Sequence, residues 1–167
     1  MNLNAALPEQ MNIAAGFVPI DMGAGANTGD WVSLANYAKL CIVLFKAVGT
    51  AGQDPTLTVL QATDNAGAGS KALTFTNIWT KQDTLLSSVG TWTMVEQAAA
   101  NTYTDATSAE DQAIWAVDIN ADQLDLANGF DHVSCSVADI GAAAQVGCAF
   151  YLLYGPRYGG DAMPSAL

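Results

Sequence analysis

Residues 39–63, KLCIVLFKAVGTAGQDPTLTVLQAT, hold two strands on either side of a Gly- and Pro-containing turn. The first, from Leu40 to Val48, is apolar at nearly every position, so both of its faces are greasy. An antiparallel strand with one face in water alternates instead. Something must therefore cover the second face of this strand.

Working outward, strand patterns recur over 17–22, 38–48, 56–63, 71–80, 91–97, 113–119, 130–138 and 145–154. Clusters such as GAGANTGD, TDNAGAGS and DIGAAAQ separate them. With strands this regularly spaced and no amphipathic helix of ordinary length between them, the chain reads as all-β. The expected fold is a single-domain antiparallel β-sandwich, jelly-roll-like, spanning 16–158. A short N-terminal arm (1–15) and a C-terminal tail (159–167) flank it. Leu3, Leu7 and Met11 recur every four residues along the arm, but Pro8 favours a turn over one continuous helix. ADQLDL reads as a helical turn before the next strand.

Alternation assigns faces. Val133, Cys135 and Val137 point inward, against His132, Ser134 and Ser136. Leu73, Phe75 and Trp79 fall together on one face, opposite Thr74 and Thr76. A symmetric hairpin about DIGAAA sets Cys135 across from Cys148. Cys41, Cys135 and Cys148, embedded in apolar strands, read as reduced, buried thiols of a protein made in the cytoplasm.

The strand at 145–154 shares the opening problem. Val146, Cys148, Phe150 and Leu152 lie back to back with Ala149, Tyr151 and Leu153, as Cys41, Val43 and Phe45 do with Leu40, Ile42 and Leu44. A two-layer sandwich covers one face of each strand. Since apolar burial is worth roughly 25 cal/mol per Å², the other face calls for a partner. The 167 residues are 51% hydrophobic, with five basic residues against 16 acidic ones and a net charge of −11. Such a surface repels phosphate, which argues against nucleic acid. The apolar runs fall well short of the roughly 20 residues that span a membrane, and the N-terminus lacks the basic residues and apolar run of a secretory signal.

No reactive constellation stands out. GAGANTG from Gly23 misplaces the third glycine of a dinucleotide fingerprint, and Gly69-Ser70-Lys71 has the wrong order for a phosphate loop. Asp118, Asn120 and Asp122 match the first positions of a calcium loop, but Gln123 stands where it needs glycine and Gly129 where it needs glutamate. His132 is the sole histidine, with no nucleophile elbow to serve. The four tryptophans read as packing residues ahead of sugar platforms. No catalytic, cofactor-binding or metal-binding residue is assigned.

Three phrases carry a family likeness: TGDWVSLANYAKLCIVLFKAVGTAGQDPTLTVLQATD, AANTYTDATSAEDQAIWAVDINADQLDLANGFDHVSCSVAD and AAQVGCAFYLLYGPRY. They resemble a family of small proteins encoded in the structural gene clusters of tailed phages and prophages. The resemblance implies a virion component, foremost a capsid decoration (cement) protein. It would be made in the bacterial cytoplasm and sit on the capsid surface, bound to the major capsid protein, as a homo-oligomer with a trimer favoured. A head–tail connector or tail component is the alternative within the virion, and a carbohydrate-binding sandwich, displayed on the particle or made by a host, is the alternative from another class. The expected interface residues are Leu3, Leu7 and Met11 of the arm, Phe45, Tyr151 and Leu153 of the doubly apolar strands, and Tyr154, Arg157 and Tyr158 near the tail.

Overall fold

Among the described residues, twelve strands form two antiparallel sheets packed face to face. The computed structural model describes residues 6–157 and 165–167. In chain order the strands are β1 (Met11–Asp21), β2 (Asn27–Thr28), β3 (Val32–Ser33), β4 (Tyr37–Lys46), β5 (Thr56–Ala62) and β6 (Lys71–Ala72), followed by β7 (Phe75–Asp83), β8 (Thr93–Ala100), β9 (Thr102–Thr104), β10 (Gln112–Asn120), β11 (His132–Val137) and β12 (Val146–Pro156). The only helical pieces among the described residues are single 3-10 turns, including Leu7–Glu9 with its Pro8, Ala121–Gln123 and Leu126–Asn128.

The larger sheet has the order β1-β12-β4-β10-β7-β8 and the smaller β2-β11-β5-β6, with β3 on β11 and β9 on β5. Setting the β7–β8 hairpin aside, the chain switches layers as a jelly roll does, two Greek keys wound through eight strand positions. The sixth position is split. Ala72 pairs with Leu60, and Thr102 with Thr58. Between them both Leu73 and Asn101 bond to the Val59 backbone, Leu73 N–H to its carbonyl and Asn101 C=O to its N–H. Residues 74–100 leave the smaller sheet at one rung, run as a hairpin along the larger sheet, and return to the same rung.

Inward-facing residues form one core. Leu40, Ile42, Leu44, Trp115, Val117, Tyr151 and Leu153 of the larger sheet meet Leu57, Val59, Val133, Cys135 and Val137 of the smaller. The rings of Tyr103 and Trp115 pack edge to face at 4.8 Å.

Three expectations are corrected by this arrangement. Residues 11–15, expected in the arm, belong to β1, where Met11 pairs with Tyr154 and Ile13 with Leu152. Asn12 and the Ala-Ala-Gly run carry little strand propensity, and the neighbouring β12 holds them in place. Cys135 lies opposite Val59 and Cys148 opposite Phe45, in different sheets, because the segment between β11 and β12 crosses from one layer to the other. Trp79 does not share a face with Leu73 and Phe75. The ladder is irregular between Phe75 and Asn77 and the alternation breaks there, so that Phe75 and Ile78 are both buried and Trp79 turns outward. The end of the chain docks on the smaller sheet: Ser33 N–H donates to Ala166 C=O at 2.9 Å, and Ala166 is buried.

Candidate functional site

The doubly apolar strands β4 and β12 are adjacent at the centre of the larger sheet. Their second faces therefore merge into one outer surface. Ala15, Phe150, Val43, Ala116, Trp79 and Met94 form a continuous row, each opposite the next, across all six strands. One flanking row is Ile13–Leu152–Cys41–Asp118 and the other Cys148–Phe45–Ile114–Lys81. Val43 and Ala116 are buried by their neighbours alone, whereas Ile13 (52%), Phe45 (45%), Trp79 (42%) and Met94 (45%) remain open. At one end Pro19, Phe45, Ala47, Val146 and Cys148 line a shallow hollow of about 240 Å³.

Charge is sparse here. Lys39 and Lys81 balance Asp118 and Glu96 around the central row, while the chain as a whole carries −11. Lys39 lies over the Tyr154 ring at 5.9 Å, and Lys81 over Trp92 at 5.3 Å. The Tyr154 hydroxyl donates to Asp118 Oδ1 at 3.0 Å. Desolvation, then the Asp118 charge, raise the Tyr154 phenol above its ordinary range. The same two causes, in the same order, push the Cys41 thiol up to about 12.

The outer face of the smaller sheet is different. Thr28, Ser136, Thr58 and Thr102 lie opposite one another across four strands, and Thr56 meets Thr104 through a 2.5 Å hydroxyl contact. One side of the sandwich is a hydroxyl surface, the other an apolar one.

Of the expected interface residues, Phe45 and Tyr154 lie on the apolar face, and Met11 on β1 at its border. Leu7 is exposed on the 3-10 turn before β1, and Arg157 lines a groove with Lys39 and Asp122. Tyr151 and Leu153 do not join them. Both point inward and are fully buried, because their strand alternates in phase with Leu40 and Ile42, not with Phe45. Leu3 and Tyr158 lie outside the described residues. Ile13, Leu152, Val146 and Met94 were missed; the doubly apolar pattern flagged β12, but only pairing shows which face is outer.

The chemical candidates disperse. His132 Nδ1 is 2.6 Å from Asp131 Oδ1, and among the described residues no hydroxyl or thiol hydrogen-bonds the ring. Asp118 faces Tyr154 while Asp122 faces Lys39 and Arg157, so the calcium-loop positions do not converge. Among the described residues no group of three His, Cys, Asp or Glu side chains is arranged to hold a metal ion. No helix among them is long and apolar enough to cross a membrane. No protein-family model and no curated protein matches the chain.

Proposed function

We propose that this chain is a non-enzymatic structural protein of a phage particle, a capsid decoration protein that docks on the major capsid protein at the head surface. The observation that carries the reading is the uncovered, charge-balanced apolar face of the larger sheet, centred on β12 and β4. Burying that surface against a shell supplies a driving force proportional to its area, without ionic contacts that the acidic molecule could ill provide. The hollow beside Phe45 and Val146 would accept an apolar side chain from the capsid protein. Resemblance to products of phage structural gene clusters points the same way, and the jelly roll is a scaffold that capsid proteins share with many others.

The test uses heads of the encoding phage or prophage stripped of this protein. Full-length chain added back should co-sediment with them at many copies per head. Phe45→Glu places a charge in the contact and should lose attachment while keeping the wild-type circular dichroism. Saturation at only a few copies per particle would favour a connector or tail role, and failure of the wild type to bind heads would overturn the decoration reading.

A further inference from the structure

We infer that the cleft between β7 and β10 is a binding site for a neutral hexopyranose unit of a polysaccharide. The β7–β10 ladder ends at the pair Ala116–Trp79, although β10 runs on to Asn120 and β7 begins as early as Phe75. The opening follows from the topology. The inserted hairpin leaves the smaller sheet at Leu73 and must cross layers before it can join the larger one, so the start of β7 stands away from the end of β10. The gap has a volume of about 230 Å³, and Trp79, Asn77, Asp118, Asn120 and Gln123 line it.

These side chains match a sugar better than other small ligands. A pyranose ring has a C–H face, which rests against the electron-rich face of an indole, and Trp79, which lines the cleft, is 42% exposed. The hydroxyls around the ring both donate and accept, as the carboxamides of Asn77, Asn120 and Gln123 do, while the carboxylate of Asp118 accepts. Two of these groups are held in place within the protein. Asp118 Oδ1 accepts from the Tyr154 hydroxyl at 3.0 Å, and Gln123 Oε1 accepts from Asn120 N–H at 2.6 Å. Asp118 keeps further acceptor capacity and Gln123 keeps both amide N–H groups, so a ligand meets a partly ordered site and loses less entropy on binding.

Charge selects among sugars. The cleft contains Asp118 and belongs to a chain of net charge −11, so uronates and sulfated sugars are repelled. A cationic ligand would be drawn to Asp118 but would leave three carboxamides without acceptors for their N–H groups. A neutral, hydroxyl-rich ring satisfies both conditions. The site shares Trp79 and Asp118 with the outer face of the larger sheet but lies on its β7–β10 side, away from the β12–β4 centre of the proposed capsid contact, and does not depend on that reading.

Affinity electrophoresis of the full chain tests this in gels containing a neutral glucan, galactan or mannan, or anionic polygalacturonate. At least one neutral polysaccharide should retard the protein, and polygalacturonate should not. Trp79→Ala should weaken binding by about tenfold or more, with Trp79→Phe retaining most of it. Trp92→Ala, an exposed indole outside the cleft, should change nothing. Three results would overturn the assignment: no retardation by any neutral polysaccharide, retardation by polygalacturonate alone, or retardation that Trp79→Ala leaves intact or Trp92→Ala abolishes equally.

Discussion

Tyr151 projects from the larger sheet and completes a hydrogen bond in the smaller one. Cys135 N–H falls in the gap between β2 and β3, where β11 has no strand partner on that side, and the Tyr151 hydroxyl accepts it at 3.0 Å. Gly29 makes room for that hydroxyl, since a Cβ there would lie 2.5 Å from it and 2.8 Å from Cys135 C=O. Tyr151→Phe leaves a buried donor unpaired and should cost about 1–3 kcal/mol in denaturant unfolding, with Gly29→Ala at least as damaging. Lys46 is the buried cation. Its Nζ donates to the carbonyls of Ser108 and, at 2.8 Å, Asp111, pinning the loop before β10. Burial lowers its pKa to about 8, against the pull of Asp111 and other nearby carboxylates. Between that value and the unfolded value of 10.5 the unfolded chain holds the extra proton, so this group makes stability rise with pH. Relative to Lys46→Met, the wild type should gain up to roughly 3 kcal/mol from pH 8 to pH 10.5, and a gain in the opposite direction would show the ammonium to be net favoured inside. Thiol labelling should separate the cysteines. Cys148, half-buried on the outer face, reacts first; Cys135, fully enclosed and raised to about 11 by burial, reacts only on unfolding.

Two elements have separable roles. The hairpin 74–100 is an insertion that both leaves and rejoins at Val59, so removing residues 73–100 lets Asn101 complete the rung and restores one continuous strand from Lys71 to Thr104. Leu73, Phe75 and Ile78 leave the core with those residues. The shortened chain should keep its β-type circular dichroism, melt several degrees lower, and lose any sugar binding together with Trp79. A chain that fails to fold would show that the hairpin is part of the fold's nucleus. The N-terminal segment behaves differently. Deleting residues 2–12 removes only the Met11–Tyr154 and Asn12–Leu153 pairs from the β1 ladder, so the sandwich should remain folded.

The whole molecule is two-sided, with hydroxyls outside one sheet and an apolar field outside the other. On the decoration reading the free protein also self-associates, with a trimer favoured. Because the copies repel through their net −11 while the apolar field attracts, sedimentation should show a species larger than the monomer whose population grows as salt rises. Association that weakens with salt would place ionic contacts at the interface instead. A clean monomer at all ionic strengths would leave the capsid as the sole cover for that face.

The sequence by itself determined the strand class, the positions of the longer strands though not the short β2, β3 and β9, the turn at Pro8 and the inward set Val133, Cys135 and Val137, because alternation and turn residues are local signals. It also showed that β4 and β12 are apolar on both sides. Only the tertiary structure decided that these two strands are neighbours, which fuses two separate surpluses into one surface and sends Tyr151 and Leu153 inward while Phe45 stays out. Pairing also decided the fate of Trp79, since the irregularity between Phe75 and Asn77 breaks the alternation without altering composition. The cleft beside Trp79 was equally invisible in the chain. Its lining comes from residues 75–79 and 118–123, brought together when an inserted hairpin crosses between layers, a long-range event that no local pattern encodes.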